Sequence, residues 1–173
     1  MIERVLWLNG TVGSGKSTIG ALVAERLASR GVPTAFVSTD WLGDLGPRSP
    51  EDPFNATLVV DNLAAVAENF SAAGARDLVV AGVIKDQAEL ERFTHAVGAT
   101  ITLVRLVVPA AELEERLRGR HGELDPTGLR WHLDRAPVLT AILDAAALEM
   151  IEVSNSGNPA DTAAAVVAAA GWA

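Results

Sequence analysis

Apolar residues along this chain gather into five short runs, at about residues 2–8, 33–38, 77–83, 100–108 and 148–153. These runs are mostly continuous rather than alternating, which is typical of strands buried on both faces of a parallel sheet. Between the runs, apolar residues recur every three or four positions, which is the spacing of helices. The pattern therefore predicts an α/β fold in which five strands alternate with helices.

Residues with special backbone or capping preferences mark the ends of the predicted helices. Gly31 follows the first helical pattern, at the position where a left-handed backbone favours glycine. Asp86 is a candidate N-cap, with Glu89 three residues later as its capping-box partner. Asp125-Pro126 begins another helix as N-cap and first residue, and Pro137 is expected to kink that helix.

Length and composition favour a single domain that spans residues 1–173. Hydrophobic residues make up 49% of the chain, and no linker or internal repeat divides it. Cysteine is absent, which excludes disulfides, thiolate catalysis and cysteine-ligated metals. Because no apolar run is long enough to span a membrane and no signal sequence precedes the first strand, we expect a cytoplasmic protein without membrane contact.

The first predicted strand is followed by a segment that fits the pattern G-x-x-x-x-G-K-[ST] at every fixed position. Its glycines allow consecutive N–H groups to point at phosphate oxygens, and the following helix adds its positive dipole end. Lys16 would bind the β- and γ-phosphates, and the Ser17 hydroxyl is the predicted Mg²⁺ ligand. The predicted nucleotide-binding residues in this segment are Gly10, Thr11, Val12, Gly13, Ser14, Gly15, Lys16, Ser17 and Thr18.

Asp40 lies directly after the second predicted strand. Ligands bind beyond the carboxyl ends of the strands in open α/β sheets, so this carboxylate is expected to face the phosphates. An N-cap or turn aspartate is the alternative interpretation. The irregular stretch 41–53 is typical of a substrate-binding loop, and Trp41, Arg48 and Phe54 are the predicted contacts with a phosphate acceptor. Packing within the loop is the alternative for these three residues.

The second Mg²⁺ ligand is left open. A Walker B carboxylate is expected at the end of the third strand, but the sequence there is Ala81-Gly82-Val83-Ile84-Lys85-Asp86. Asp86 is equally compatible with capping the next helix. Asp40, acting directly or through water, is the candidate for this ligand.

Positive charge is concentrated in one region of a chain whose net charge is −8. That acidic balance argues against a nucleic-acid binder, yet six of the twelve arginines lie between residues 105 and 135. Arg116 and Arg120 are four residues apart and share a helix face. They are predicted to contact a nucleotide, with pairing to glutamates of the same helix as the alternative. The polar segment at about 119–127 is predicted to be a short lid.

The motif at residues 10–18, Asp40 after the second strand and the Arg116/Arg120 helix before a lid resemble the P-loop small-molecule and nucleoside-phosphate kinases. Chloramphenicol phosphotransferase, gluconate kinase and adenylyl-sulfate kinase are similar members. The resemblance implies a P-loop NTPase fold, a three-layer α/β/α arrangement with a five-stranded parallel sheet in the order 2-3-1-4-5, and ATP as donor. It further implies that Asp40 takes the proton from the acceptor hydroxyl. Arg116 or Arg120 would stack on adenine or contact phosphates, and the loop beginning at Asn155 would line the adenine pocket.

Two stretches depart from the adenylyl-sulfate kinases. Trp41-Leu42-Gly43-Asp44-Leu45 lacks that family's basic run, and Val83-Ile84-Lys85-Asp86 lacks its serine-proline signature. The acceptor is therefore left open among antibiotics, nucleosides, sugars and adenylyl-sulfate-like compounds.

The leading hypothesis is an ATP-dependent phosphotransferase that uses Mg²⁺ and moves the γ-phosphate to a hydroxyl of a small molecule. Lys16, Asp40 and Arg120 are its candidate catalytic residues. The alternative is a nucleotide-binding switch protein that hydrolyses ATP or GTP slowly, although the sequence lacks the Asn-Lys-x-Asp motif that GTP calls for. A homodimer through the Ala/Val-rich faces at 55–73 or 160–170 also stays open.

Overall fold

The computed structural model describes residues 1–121, 125–149 and 151–172. Within these ranges none of the helices has both the length and the apolar character needed to cross a membrane. The elements follow one another in the order β1 (Arg4–Asn9), α1 (Lys16–Ala28), β2 (Thr34–Ser38), α2 (Thr39–Leu42), α3 (Ala56–Ala72), β3 (Asp77–Ala81), α4 (Gln87–Val97), β4 (Ile101–Val107), α5 (Ala110–His121), α6 (Pro126–Ala146), β5 (Ile151–Ser154) and α7 (Pro159–Ala169).

The five strands form one sheet in which every neighbouring pair is parallel, in the order β2-β3-β1-β4-β5. The predicted fold class and strand order are therefore confirmed. β1 lies at the centre of the sheet, between β3 and β4. The loop that follows β1 consequently begins in the middle of the carboxyl edge, where open α/β sheets bind their ligands.

Alternate residues of β1 face two separate cores, which together give the three-layer arrangement. Leu6 and Leu8 pack in the core that contains α1 and α7 residues, whereas Val5 and Trp7 pack in the core that contains α3 and α4 residues. All four side chains are fully buried. Burial on both faces explains why β1 is continuously apolar rather than alternating.

A third, smaller cluster joins α5 to α6 and covers the loop after β1. Leu113 and Leu117 of α5 are buried with Ala136 of α6, and Val12 of the loop packs against them. The α5–α6 pair therefore forms one wall of the space beside this loop.

Two boundaries differ from the sequence-based expectations. α5 continues to His121 instead of ending at Gly119, and ion pairs such as Arg118–Glu114, 2.6 Å apart at i,i+4, support its last turns. The predicted lid at about 119–127 thus overlaps helix at both of its ends, while its residues 122–124 lie outside the described ranges. β5 is described from Ile151, and the predicted strand residue Met150 also lies outside these ranges.

The buried side chain of Asn9 connects the end of β1 to the segment after β3. Its Oδ1 accepts hydrogen bonds from the backbone N–H groups of Gly10, at 3.0 Å, and Ile84, at 3.2 Å. Its Nδ2 donates to the carbonyl oxygen of Ile84, at 2.9 Å, and also to the carboxylate of Glu149. Asn9 therefore satisfies buried main-chain groups that neither strand can pair by itself.

We expect Asn9→Ala to lower the free energy of unfolding by about 3 kcal/mol, because it leaves buried backbone groups of Ile84 without partners. Urea denaturation followed by circular dichroism measures this change. Asn69→Ala, at an exposed position of α3, is the matched control and should change stability by less than about 0.5 kcal/mol. Equal stabilities for the two variants would contradict this role of Asn9.

Candidate active site

The loop between β1 and α1, residues 10–15, curls through glycines with positive φ angles. Gly13 has φ 78° and Gly15 has φ 90°, and Gly15 is the N-cap of α1. A side chain at Gly13 would collide with Leu117, and one at Gly15 would collide with the amide of Asn155. Both backbone conformation and packing therefore require glycine here, and the loop can turn tightly at the N-terminus of α1.

Three other parts of the structure hold this phosphate loop in place. Thr11 Oγ1 donates to the carbonyl oxygen of Ala136 in α6, at 2.9 Å. Asn155 Nδ2, in the β5–α7 loop, donates to the carbonyl oxygen of Ser14, at 2.8 Å. Together with the bond from the Gly10 N–H to Asn9, these contacts fix the loop against β1, α6 and the end of β5.

The ammonium group of Lys16 rests on the phosphate loop itself. Its Nζ donates to the carbonyl oxygens of Gly10 and Thr11, each at 2.9 Å. Burial lowers the pKa of Lys16 to about 8, a shift that the Asp40 carboxylate opposes and the Arg120 guanidinium increases. Lys16, Asp40 and Arg120 are therefore close enough to share one electrostatic environment.

Oxygen groups suited to a magnesium ion lie beside Lys16. Ser17 Oγ is 3.3 Å from Ser38 Oγ at the end of β2, and Asp40 lies in the first turn of α2. The N-cap of α2 is Ser38, not Asp40, and the Asp40 carboxylate accepts no hydrogen bond from the described residues. Hydroxyl and carboxylate oxygens fit Mg²⁺, which usually takes one or two protein ligands and completes its shell with phosphates and water.

Asp86 is used for helix capping. Its Oδ1 accepts a hydrogen bond from the Glu89 N–H, at 2.8 Å, and Glu89 Oε2 accepts one from the Lys85 N–H, at 2.9 Å. The capping alternative for Asp86 therefore has direct structural support. Asp40 stays the candidate for the second magnesium ligand.

A cleft of about 980 Å³ runs from the phosphate loop past Asp40 to α6. This volume lies near the upper end of the range for ligand pockets, about 300–1,000 Å³, and suits a site for two ligands. Of the residues predicted from the sequence, the cleft is lined by Val12, Gly13, Gly15, Lys16, Ser17, Thr18, Asp40, Arg48, Phe54, Arg116, Arg120 and Asn155.

The remaining predicted residues lie elsewhere. Gly10, Thr11 and Ser14 form the buried inner side of the phosphate loop. Trp41 is 79% exposed and does not line the cleft, so the structure does not bring it to the other site residues.

Arg116 and Arg120 face the same cleft, as their spacing predicts, but their surroundings differ. Arg116 pairs with Glu112 at 2.6 Å and donates to the Asn155 carbonyl oxygen at 2.5 Å. The glutamate pairing considered as an alternative therefore occurs, and it holds Arg116 at the cleft wall. Arg120 has no carboxylate within ion-pair distance among the described residues.

The sequence-based predictions include no cleft residue from the segment before α4, from α4 or from α6. Lys85, Arg92, Trp131, His132 and Arg135 all line the cleft. A signal for α6 was present, because Trp131, Arg135 and Leu139 are spaced by four residues and share one helix face. Arg92 has no comparable signal.

Comparison with known proteins agrees with this architecture. A family described as an AAA domain matches residues 6–126, whereas no curated protein matches the sequence. Similar solved structures include a gluconokinase from Sinorhizobium meliloti 1021, with 21% identity and a TM-score of 0.62 over 99% of this chain and 93% of that chain. The tunicamycin resistance protein of Deinococcus radiodurans has 20% identity and a TM-score of 0.65 over 96% and 94% of the two chains.

An APS kinase from Mycobacterium tuberculosis has 18% identity and a TM-score of 0.57 over 96% of each chain. At these identities the similarity concerns the fold, and at that level the resemblance to P-loop small-molecule kinases is confirmed. The family model matches more than half of the chain, from β1 through the phosphate loop to the start of α6. The protein therefore belongs to this AAA-domain family.

Proposed function

We propose that this protein is an ATP-dependent kinase that transfers the γ-phosphate to a hydroxyl group of a small molecule. The observation that carries the proposal is the common cleft of Lys16, Asp40 and Arg120, in which the charges of Asp40 and Arg120 both act on the Lys16 ammonium. A phosphate-binding group, a carboxylate base and a further cation are the parts that phosphoryl transfer needs.

The nucleotide would occupy the side of the cleft that contains the phosphate loop. Loop N–H groups and the N-terminus of α1 would bind the phosphates, and Lys16 would move from the carbonyl oxygens of Gly10 and Thr11 to the β- and γ-phosphates. Arg116 and Asn155 would line the nucleoside side. Mg²⁺ held at Ser17 would neutralise phosphate charge.

Asp40 would act on the acceptor. As the acceptor oxygen forms a bond to the γ-phosphorus, the bond between this phosphorus and the β–γ bridging oxygen breaks, and its electron pair leaves with ADP. Asp40 takes the hydroxyl proton, and Arg120 stabilises the negative charge on the transferring group. Phe54 and Arg48 would bind the rest of the acceptor, with Trp41 as a further predicted contact outside the cleft lining.

The names of two structurally similar proteins support this proposal, because both are kinases. One is a gluconokinase, and the APS kinase was solved in complex with AMPPNP and APS. A gluconokinase uses a hydroxyl compound as its phosphate acceptor. The APS kinase structure contains an ATP analogue and an acceptor together in one protein of this fold.

We expect ATP binding to take up protons from about pH 7.5 upward. Free Lys16, with its pKa near 8 instead of 10.5, is half neutral at pH 8, and the phosphates restore its charge. The uptake should be about half a proton at pH 8 and nearly one at pH 9, so that ATP affinity falls as the pH rises. Isothermal titration calorimetry in buffers with different ionisation enthalpies measures this uptake.

Lys16→Arg is the control for proton uptake, because a guanidinium stays charged throughout this pH range. Its binding heats should not depend on the buffer. Buffer-independent heats for the natural protein between pH 7.5 and 9 would contradict the lowered pKa of Lys16 in the free protein.

We expect Asp40→Asn to reduce acceptor-stimulated ADP release by about a hundredfold or more, which is the contribution of a general base, while leaving ATP affinity nearly unchanged. The assay is best run at pH 7, below the Lys16 pKa of about 8, because loss of the Asp40 carboxylate lowers this pKa further. Asp61→Asn, at an exposed position of α3, is the matched control. Turnover by Asp40→Asn equal to that of Asp61→Asn would remove Asp40 from the chemistry.

A further inference from the structure

We infer that the phosphate acceptor carries an anionic group, a carboxylate or a phosphate, in addition to the hydroxyl that reacts. This inference rests on the proposed kinase function and extends it to the class of substrate. Arg135 of α6 and Arg92 of α4 are the residues assigned to the anionic group.

The cleft contains more positive charge than its own carboxylates balance. Seven basic side chains line it, whereas Asp40 and Glu89 are its only lining carboxylates among the described residues. This excess occurs in a chain whose net charge is −8. The basic lining residues are Lys16, Arg48, Lys85, Arg92, Arg116, Arg120 and Arg135.

Three of these side chains already have carboxylate partners. Lys85 pairs with Glu89 at 2.7 Å, Arg116 with Glu112 at 2.6 Å, and Arg48 with Asp44 at 3.6 Å. Lys16 and Arg120 influence each other electrostatically beside the phosphate loop and are assigned to the triphosphate. Arg92 and Arg135 are left, and neither has a carboxylate within ion-pair distance in the described part of the chain.

Arg135 is placed on a rigid wall of the acceptor side. Its guanidinium carbon lies 5.6 Å from the centre of the Phe54 ring, so α6 contacts the loop before α3 at this point. The neighbouring residue Ala136 is buried, and its carbonyl oxygen accepts the hydrogen bond from Thr11. A guanidinium that lies over a ring in this way keeps N–H donors available for a carboxylate or phosphate.

The loop that carries Phe54 is also held in place. Asn55 Nδ2 donates to the carbonyl oxygens of Gly43 and Leu45, each at 2.9 Å. Asp52 Oδ1 accepts from the Ala56 N–H at the start of α3, at 2.9 Å. The two walls that meet at Arg135 and Phe54 are therefore preorganised, which reduces the ordering cost of binding.

Arg92 of α4 lines the same cleft as Arg135. It precedes Phe93, which is buried against the Trp7 ring with 4.6 Å between the ring centres. Two arginines on separate helices therefore line a cleft whose lining also includes Val59, Val60 and Phe93. An anion would balance their charge, and an apolar or ring portion would pack on Phe54.

The test measures ADP release at pH 7 with MgATP and a panel of hydroxyl compounds. Sugars, nucleosides and antibiotics are included, every hydroxycarboxylic acid is tested beside its uncharged amide, and every phosphate ester beside its parent alcohol. We expect an acid or a phosphate ester to stimulate release, with kcat/KM at least about tenfold above that of its uncharged partner. The comparison of acids with amides tests for a carboxylate site, and the comparison of phosphate esters with alcohols tests for a phosphate site.

The variants are Arg135→Gln and Arg92→Gln, with Arg130→Gln as matched control. Arg130 lies on the same helix, its side chain is 87% exposed, and it does not line the cleft. We expect Arg135→Gln to raise the KM of the anionic acceptor by about 10- to 100-fold, and Arg92→Gln to raise it in the same direction. The KM of ATP should stay within about twofold of the natural protein for all three variants, and Arg135→Lys should recover part of the lost acceptor affinity.

The outcomes separate this inference from the proposed function. Equal use of charged and uncharged partners, or acceptor KM values for Arg135→Gln and Arg92→Gln that match Arg130→Gln, would contradict the anionic acceptor and leave the kinase intact. ADP release that no compound stimulates, despite ATP binding, would contradict the kinase itself and this inference with it.

Discussion

The hydrogen bonds that hold the phosphate loop in its curled form are the constraint on which the site depends. The loop carries buried main-chain groups, and the side chains of Asn9 and Asn155 pair with those of Gly10 and Ser14. The Thr11 hydroxyl, within the loop, donates to the Ala136 carbonyl oxygen of α6. Leu117 fills the space on its outer side, so a glycine is needed at Gly13. The same contacts that stabilise the loop therefore position α6 and the β5–α7 loop around the nucleotide side of the cleft.

Local electrostatics explain how an acidic protein can offer a site for anions. The chain has a net charge of −8, but seven of its fourteen lysines and arginines line the cleft at the carboxyl edge of the sheet. Before a ligand binds, the loop carbonyl oxygens and Asp40 partly compensate Lys16, and its pKa is lowered to about 8 because burial outweighs this compensation. The cleft therefore favours anionic ligands. Bound phosphates would offset the free-energy cost of burying the Lys16 ammonium group.

The five buried strands and the phosphate loop could be predicted because both are encoded locally, in continuous apolar runs and in one short motif. The order of the strands came instead from the resemblance to P-loop kinases. The shared face of Arg116 and Arg120 likewise followed from helical spacing. Contacts between distant residues could not be predicted: Asn9 and Ile84 are 75 residues apart, and no local pattern links Arg135 to Phe54. The exposure of Trp41 depends on how the short helix α2 turns after β2, which residue type alone does not determine. The nucleotide and acceptor roles of the individual cleft residues stay predictions.

Phosphorus NMR of the natural protein with MgATP and the panel of hydroxyl compounds identifies where the γ-phosphate goes and so distinguishes a kinase from a nucleotide-hydrolysing switch. We expect a new phosphate-ester signal that grows in step with ADP when an acceptor is present. ADP that accumulates only with inorganic phosphate, whatever compound is added, would contradict phosphate transfer to an acceptor and favour the switch.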